Sequence, residues 1–240
     1  MNDMYRTELT SEDILDLENL IGVTFNDKEH LLSALTHRSY LNEHRDADWQ
    51  HNERLEFLGD AVLELVITDF LYKSYPDKPE GELTAVRAAL VNTQSLSTAS
   101  QELGVNDYLL MSKGEAKDKG RARQYILANT FESIIGALYL DQGFETAHNF
   151  IARHLFQKTK DIIDKRLWQD AKSRFQELAQ EHVSVTPVYE MLSQTGPDHD
   201  REFTIGVFLR RNKIAEGKGR SKQEAEQVAA EKAIEIKGWN

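Results

Sequence analysis

Apolar residues recur three and four apart through most of the first 165 residues, as in Ile14, Leu17, Leu20 and Ile21, or Leu31, Leu32 and Leu35. That is the period of helices with one face turned inward. The segment from Asn52 to Tyr75 is long, largely apolar and stopped by Pro76. After the polar run YPDKPEGE a second helical segment carries Leu83, Val86, Leu90 and Val91, with Pro and Gly placed where helices start and stop. A third run, Ile126 to Leu140, is apolar on most faces, the pattern of a helix in the middle of a bundle. Residues 1–158 are therefore expected to form an all-helical domain.

The pattern changes near residue 170, after the mixed-charge stretch KTKDIIDKRLWQDA, and 159–169 is read as a linker. Residues 172–182 can form a helix, PVYEML at 187–192 a strand, and Phe203, Ile205, Val207 and Leu209 alternate at strand period. Lys213 to Glu216 gives a third short strand, followed by the glycines of EGKGRSK. A last helix is signed by a capping box, with Ser221 as N-cap and Glu224 three residues on. The order predicted for 170–240 is α-β-β-β-α, a small α+β domain behind a mainly α chain.

Composition changes the picture in two places. The chain holds 40 Asp and Glu against 29 Lys and Arg, a formal charge of −11, which argues against a simple polycationic nucleic-acid binder. The excess acid sits in residues 1–169, at −10, whereas 201–222 hold seven basic and two acidic side chains, a local +5. There is no cysteine, so disulfides, thiolate nucleophiles and Cys-bound zinc are excluded. An acidic N-terminus without a signal-peptide pattern, and the lack of any uninterrupted apolar run of about 20 residues, predict no membrane span and a cytoplasmic location.

The chemistry lies in polar residues set into apolar helices. Glu53, Glu56 and Asp60 stand at i, i+3 and i+7, within roughly 60° of one another around a helix, so three carboxylates share one stripe. A solvated face is the bland reading. Against it, Leu55, Phe57, Leu58, Ala61, Val62 and Leu63 make the helix apolar nearly all round, so the stripe is expected to open into a crevice, where clustered like charges call for a divalent cation. The buried run ILANTFESIIGALYLD repeats the anomaly with Asn129 and Glu132. Oxygen-only ligands suit Mg²⁺, or Mn²⁺ in its place, in phosphodiester chemistry. His30, His37, His44 and His51 recur every seven residues, but the polar stretch LNEHRDADWQ breaks any common helix, so no histidine metal stripe is expected.

The run NERLEFLGDAVL (Asn52 to Leu63) closely resembles the signature of the ribonuclease III family, and ALTHRSY (Ala34 to Tyr40) is similar to that family's upstream helix. PEGELTAVRAALVN, FESIIGALYLDQG and a C-terminal region resembling a double-stranded RNA-binding domain extend the likeness over essentially the whole chain. The resemblance implies a metal-dependent endonuclease for double-stranded RNA, a homodimer with one catalytic centre per subunit. The expected products carry 5′-phosphate and 3′-hydroxyl ends with short 3′ overhangs, and the expected substrates are ribosomal RNA precursors and structured messenger or transfer RNA precursors. It places Glu56, Asp60 and Glu132 at the metal-binding and catalytic carboxylates, with Asp60 and Glu132 the catalytic pair. Glu53 and Glu80 match acidic positions lining the same valley, and Phe57 matches a residue that inserts into the partner subunit.

One position departs: where the family usually has Asp, this chain has Asn129. An amide oxygen still ligates magnesium but is neutral, so the alternative to an active enzyme is a catalytically weakened or inactive RNA-binding structural protein of the same fold. A-form RNA is read through 2′-hydroxyls in the minor groove and phosphates across the major one. By the same resemblance Gln176 and Gln180, at i and i+4, present amides to one minor groove, and His199 in TGPDHD reaches the next. Arg220, Ser221 and Lys222 at the start of the capped helix meet phosphate.

Overall fold

A computed structural model describes residues 6–164, 168, 170–197 and 201–239. The chain divides into two compact units, Met1–Asp164 and Lys165–Asn240.

The first unit is helical. Its elements are α1 (Ser11–Ile21), α2 (Lys28–Ala34), α3 (Arg38–Glu43), α4 (Glu53–Ser74), α5 (Glu80–Val91), α6 (Thr93–Leu103), α7 (Lys113–Lys117), α8 (Arg121–Gln142), α9 (Phe144–Ile151) and α10 (Gln157–Asp164), with a π-helical turn, Ala152–Phe156, before the last. The long helices α4 and α8 pack along one another at the centre, and α2, α6 and α9 close around α8. Leu63, Val66 and Ile67 of α4 and Phe131, Ile134, Ile135 and Leu138 of α8 have no exposed surface. As expected of a central helix, α8 is buried on nearly every face from Ile126 to Leu138, and Asn129 and Glu132 are the half-buried exceptions.

Helix α4, apolar nearly all round in sequence, is not buried all round. Phe57, Leu65 and Tyr72 are 81%, 58% and 73% exposed, because no described element of the first unit covers that side of the helix. The ends of the bundle are tied by polar contacts. The carboxylate of Asp141, at the end of α8, accepts the backbone N–H groups of Asn26 and Asp27 at 2.8 Å each, while Asp27 caps α2. The stretch 159–169, expected as a linker, opens inside α10: Thr159 is buried, Ile162 and Ile163 are half-buried, and the helix packs on α5.

The second unit runs α11 (Ala171–Val183), β1 (Val188–Thr195), β2 (Glu202–Leu209), β3 (Asn212–Gly219) and α12 (Lys222–Lys237). The sheet is antiparallel in the order β1-β2-β3. Phe175 and Ala179 of α11 meet Val207, Ala215, and Ala229, Ala230 and Ala233 of α12 in one core. Strand β3 runs farther than expected, through the glycines that read as a turn. A Cβ on Gly217 would stand 2.2 Å from the carbonyl oxygen of Ala225, so the glycines let α12 lie directly on the strand.

Candidate active site and nucleic-acid interface

Helix α4 starts after Asn52, which puts Glu53 and Glu56 in its first turn and Asp60 one turn on. Asn129 and Glu132 lie one turn apart on α8. The crossing brings all five to one cleft of about 380 Å³, lined also by His37, Asn52 and Phe57. Among the described residues no Lys or Arg lines it; Arg38 reaches Glu53 at 3.4 Å, with both side chains exposed.

The electrostatics follow from that placement. Burial, then the charges of Asp60 and Glu56, push the Glu132 carboxyl up to about 8. Glu56 is raised by burial and by Glu53, against a hydrogen bond from the Asn129 side chain that favours its charged form. Asp60 is raised by burial and by Glu64. A lone proton or a cation is thus preferred over four bare carboxylates. Among the described residues the acidic groups surround the cleft without closing to the spacing of a coordination shell.

Two residues of the lining, His37 and Asn52, escaped the site predicted from sequence, although both belong to the quoted runs Ala34–Tyr40 and Asn52–Leu63. Glu80 is not part of the lining. It begins α5, exposed, with its carboxylate accepting from the Thr84 hydroxyl at 3.0 Å. The heptad-spaced histidines share no single helix: His30 is in α2, His37 and His44 cap the two ends of α3, and His51 lies ahead of α4.

In the second unit Gln176 and Gln180 are exposed on α11. His199 lies outside the described residues. Ser221 caps α12, accepting the Glu224 N–H at 3.1 Å; the Glu224 carboxylate takes the N–H of Arg220 at 2.8 Å rather than that of Ser221. Arg220 and Lys222 are exposed beside this capped end. The local +5 is not one patch. Phe203 pairs with Gly219 and Leu209 with Asn212, so Arg210 and Arg211 sit at the hairpin end of the sheet, and Arg220 at the other, a strand length of roughly 20 Å or more away. Lys213 and Lys218 are paired with Glu216 and Glu202 at 2.8 and 3.0 Å.

A helical bundle with an acid-lined cleft, joined in one chain to an α-β-β-β-α unit with a polar helix face and a basic helix start, is the architecture of a nuclease that carries its own duplex-binding module. The comparisons give the family. A Ribonuclease-III-like family model matches residues 27–159 and a double-stranded RNA binding motif matches 171–237. Ribonuclease 3 of Carboxydothermus hydrogenoformans is 44% identical over 228 residues, covering 95% of this chain and 97% of its own. Ribonuclease 3 of Bacillus cereus is 46% identical over 214 residues, covering 89% and 87%. The nuclease domain of ribonuclease III from Campylobacter jejuni matches with a TM-score of 0.55 at 39% identity, over 61% of this chain and 96% of its own. The chain belongs to the ribonuclease III family and is an endoribonuclease. Among the described residues no helix is long and apolar enough to cross a membrane.

Proposed function

We propose that the chain is a divalent-metal-dependent endonuclease for double-stranded RNA, with residues 1–158 as the catalytic part and 170–240 as the part that holds the duplex. The observation that carries this reading is the meeting of Glu53, Glu56, Asp60, Asn129 and Glu132 in one cleft that, among the described residues, holds no lysine or arginine. An anionic phosphodiester would be repelled from such a cleft without a cation. The donor set fits one: it is oxygen throughout, and the carboxyls of Glu56, Asp60 and Glu132 are all shifted towards the neutral form by burial and by neighbouring carboxylates. Glu56, Asp60, Asn129 and Glu132 would hold the ion, Mg²⁺ or in its place Mn²⁺. When bound, it neutralises charge on the phosphoryl group and acidifies water.

The residues themselves do the rest. Asp60 and Glu132 hold the reacting end of the cleft, Glu53 sits at its rim with Arg38, and the Asn129 amide orients Glu56. Hydrolysis adds water to phosphorus and breaks the bond to the 3′ oxygen, which takes a proton, leaving 5′-phosphate and 3′-hydroxyl ends. Gln176, Gln180, Arg220, Ser221 and Lys222 would hold the duplex by shape and phosphate, which suits structured precursors of ribosomal, messenger and transfer RNA and a cytoplasmic enzyme.

The exposed apolar face of α4, with Phe57 at 81% exposure, supports a homodimer. A solved structure of the Campylobacter nuclease domain, matched at a TM-score of 0.53, is described for a region involved in dimer formation.

Incubation with long duplex RNA, with and without Mg²⁺ and beside Glu132→Ala, tests the reading. Metal-dependent cutting that the variant loses is the expected result. No cutting by the unmodified chain under any divalent metal would overturn it in favour of the structural RNA-binding alternative that Asn129 leaves open.

A further inference from the structure

His37 carries no negative charge, yet it lines the same cleft as Glu53, Glu56, Asp60 and Glu132. Its Nδ1 is fixed by two groups. The backbone N–H of Ser39 donates to it at 3.3 Å, and the Ser39 hydroxyl stands 2.7 Å away. That hydroxyl accepts the backbone N–H of Ser112 at 3.0 Å, which leaves its own proton to point at Nδ1. With two donors converging on it, Nδ1 must present its lone pair, and the ring proton resides on Nε2.

The ring is also held in place. The His37 N–H donates to Leu110 at 2.8 Å. The neighbouring Thr36 is fully buried, with its hydroxyl donating to the Leu32 carbonyl at 2.7 Å and accepting from the Trp49 indole at 3.0 Å. Among the described residues no protein group takes a hydrogen bond from Nε2. Four of the eight lining residues are carboxylates, which when ionised can only accept, and the Asn129 amide is engaged with Glu56.

We propose that His37, locked by Ser39 and Ser112 as the Nε2–H tautomer, donates a hydrogen bond from Nε2 to a non-bridging phosphate oxygen of the RNA strand in the cleft. The proposal rests on the reading of this cleft as the cleavage site. A neutral donor suits the place. A lysine or arginine there would pair with the carboxylates and compete with the cation, whereas an imidazole N–H supplies a directed donor without a charge.

Two substitutions separate the two ring nitrogens. In His37→Asn the side-chain oxygen replaces Nδ1 as the cap of the Ser39 N–H, as asparagine does well, but the amide is too short to reach the cleft. In His37→Gln the amide N–H stands in for Nε2. His37→Asn is expected to keep the wild-type melting temperature and lose about tenfold or more in kcat/KM on long duplex RNA with Mg²⁺, the size of a lost hydrogen bond to a charged group. His37→Gln is expected to recover most of that rate whatever its melting temperature, and ¹⁵N spectra of the wild-type ring should show the Nε2–H tautomer. Wild-type rates in His37→Asn, equal losses in both variants, or a ring protonated at Nδ1 would each overturn the proposal. If His37→Asn does not fold, the tautomer and His37→Gln decide. A wild-type chain that does not cut defeats the cleavage-site reading instead, so the two failures are distinguishable.

Discussion

Gly59 of α4 and Gly136 of α8 face each other where the two helices cross: a Cβ on the first would fall 1.8 Å from the carbonyl oxygen of Glu132, and on the second 2.2 Å from that of Leu55. Backbone thus lies directly on backbone. Asp60 follows Gly59, and Glu132 lies one turn before Gly136, so this contact sets the separation of the acidic groups on the two helices.

Gly59→Ala and Gly136→Ala should therefore force the helices apart. We expect roughly 2–4 kcal/mol of destabilisation, the upper range for overpacking because the opposing atoms are backbone, and about a hundredfold slower cleavage in whatever fraction folds. Gly81→Ala is the control, since a Cβ there meets nothing within 4 Å among the described residues and an alanine suits a helix better by about 0.5–1 kcal/mol. Urea midpoints and single-turnover rates on duplex RNA give both quantities. A Gly59→Ala chain as stable and as fast as wild type would rule out the spacing role.

Glu132 makes the stability of the metal-free chain depend on pH. Its carboxyl is raised from 4.5 to about 8 in the folded chain, so between those values the native state holds a proton that the unfolded chain has released. Its contribution is present in full below the unfolded value and is lost as pH rises through the folded one. His37 and His154 are lowered by burial and act oppositely, costing stability as pH falls below the ordinary histidine value of 6.5. The clean window is thus from about 6.5 to about 8. There, urea midpoints without metal should fall for wild type and stay nearly flat for Glu132→Gln, and saturating Mg²⁺ should remove the wild-type slope. Parallel profiles for the two metal-free proteins would contradict the assignment.

Asn129→Asp exchanges a neutral oxygen in the cleft for a charged one and removes the amide that donates to Glu56. More repulsion in the empty cleft should cost the metal-free chain about 1 kcal/mol, whereas the added charge should lower the Mg²⁺ needed for half-maximal cutting several-fold. The positions cut on a defined duplex should not change. A higher Mg²⁺ requirement in the variant would sink this account.

Helical period made Glu53, Glu56 and Asp60 one stripe and Asn129 with Glu132 another, because about 100° per residue fixes a face without reference to the rest of the chain. What lies across from a face is tertiary, and there the sequence was silent. Gly59 and Gly136 look like weak points in apolar helices until the crossing shows that only glycine fits. His37 reaches the cleft through the Thr36 and Leu110 backbone contacts made by segments far apart in sequence. Glu80 belongs to the same acidic vocabulary but begins a different helix and turns to Thr84. The seven basic residues between 201 and 222 form one run when charge is counted along the chain, and the hairpin register divides them.

That division leads to a test of how the second unit holds RNA. Lys222 is the first residue of α12, beside the capped N-terminus where Ser221 and Glu224 fix the backbone, and a phosphate there would meet both its ammonium and the positive end of the helix. Gln176 is exposed on α11 and neutral, suited to 2′-hydroxyls. Each change to alanine should weaken duplex binding roughly tenfold, but only Lys222→Ala should lower the slope of log affinity against log salt, by about one. Arg210 and Arg211, at the far end of the sheet, give the contrast: if the duplex is held at the α12 start alone, Arg210→Ala with Arg211→Ala should leave the slope unchanged. Binding titrations with Glu132→Ala, over a range of salt, measure all of this without cleavage. An unaltered slope in Lys222→Ala would remove the phosphate contact, and a slope reduced by the arginine pair would show the duplex spanning both ends of the sheet.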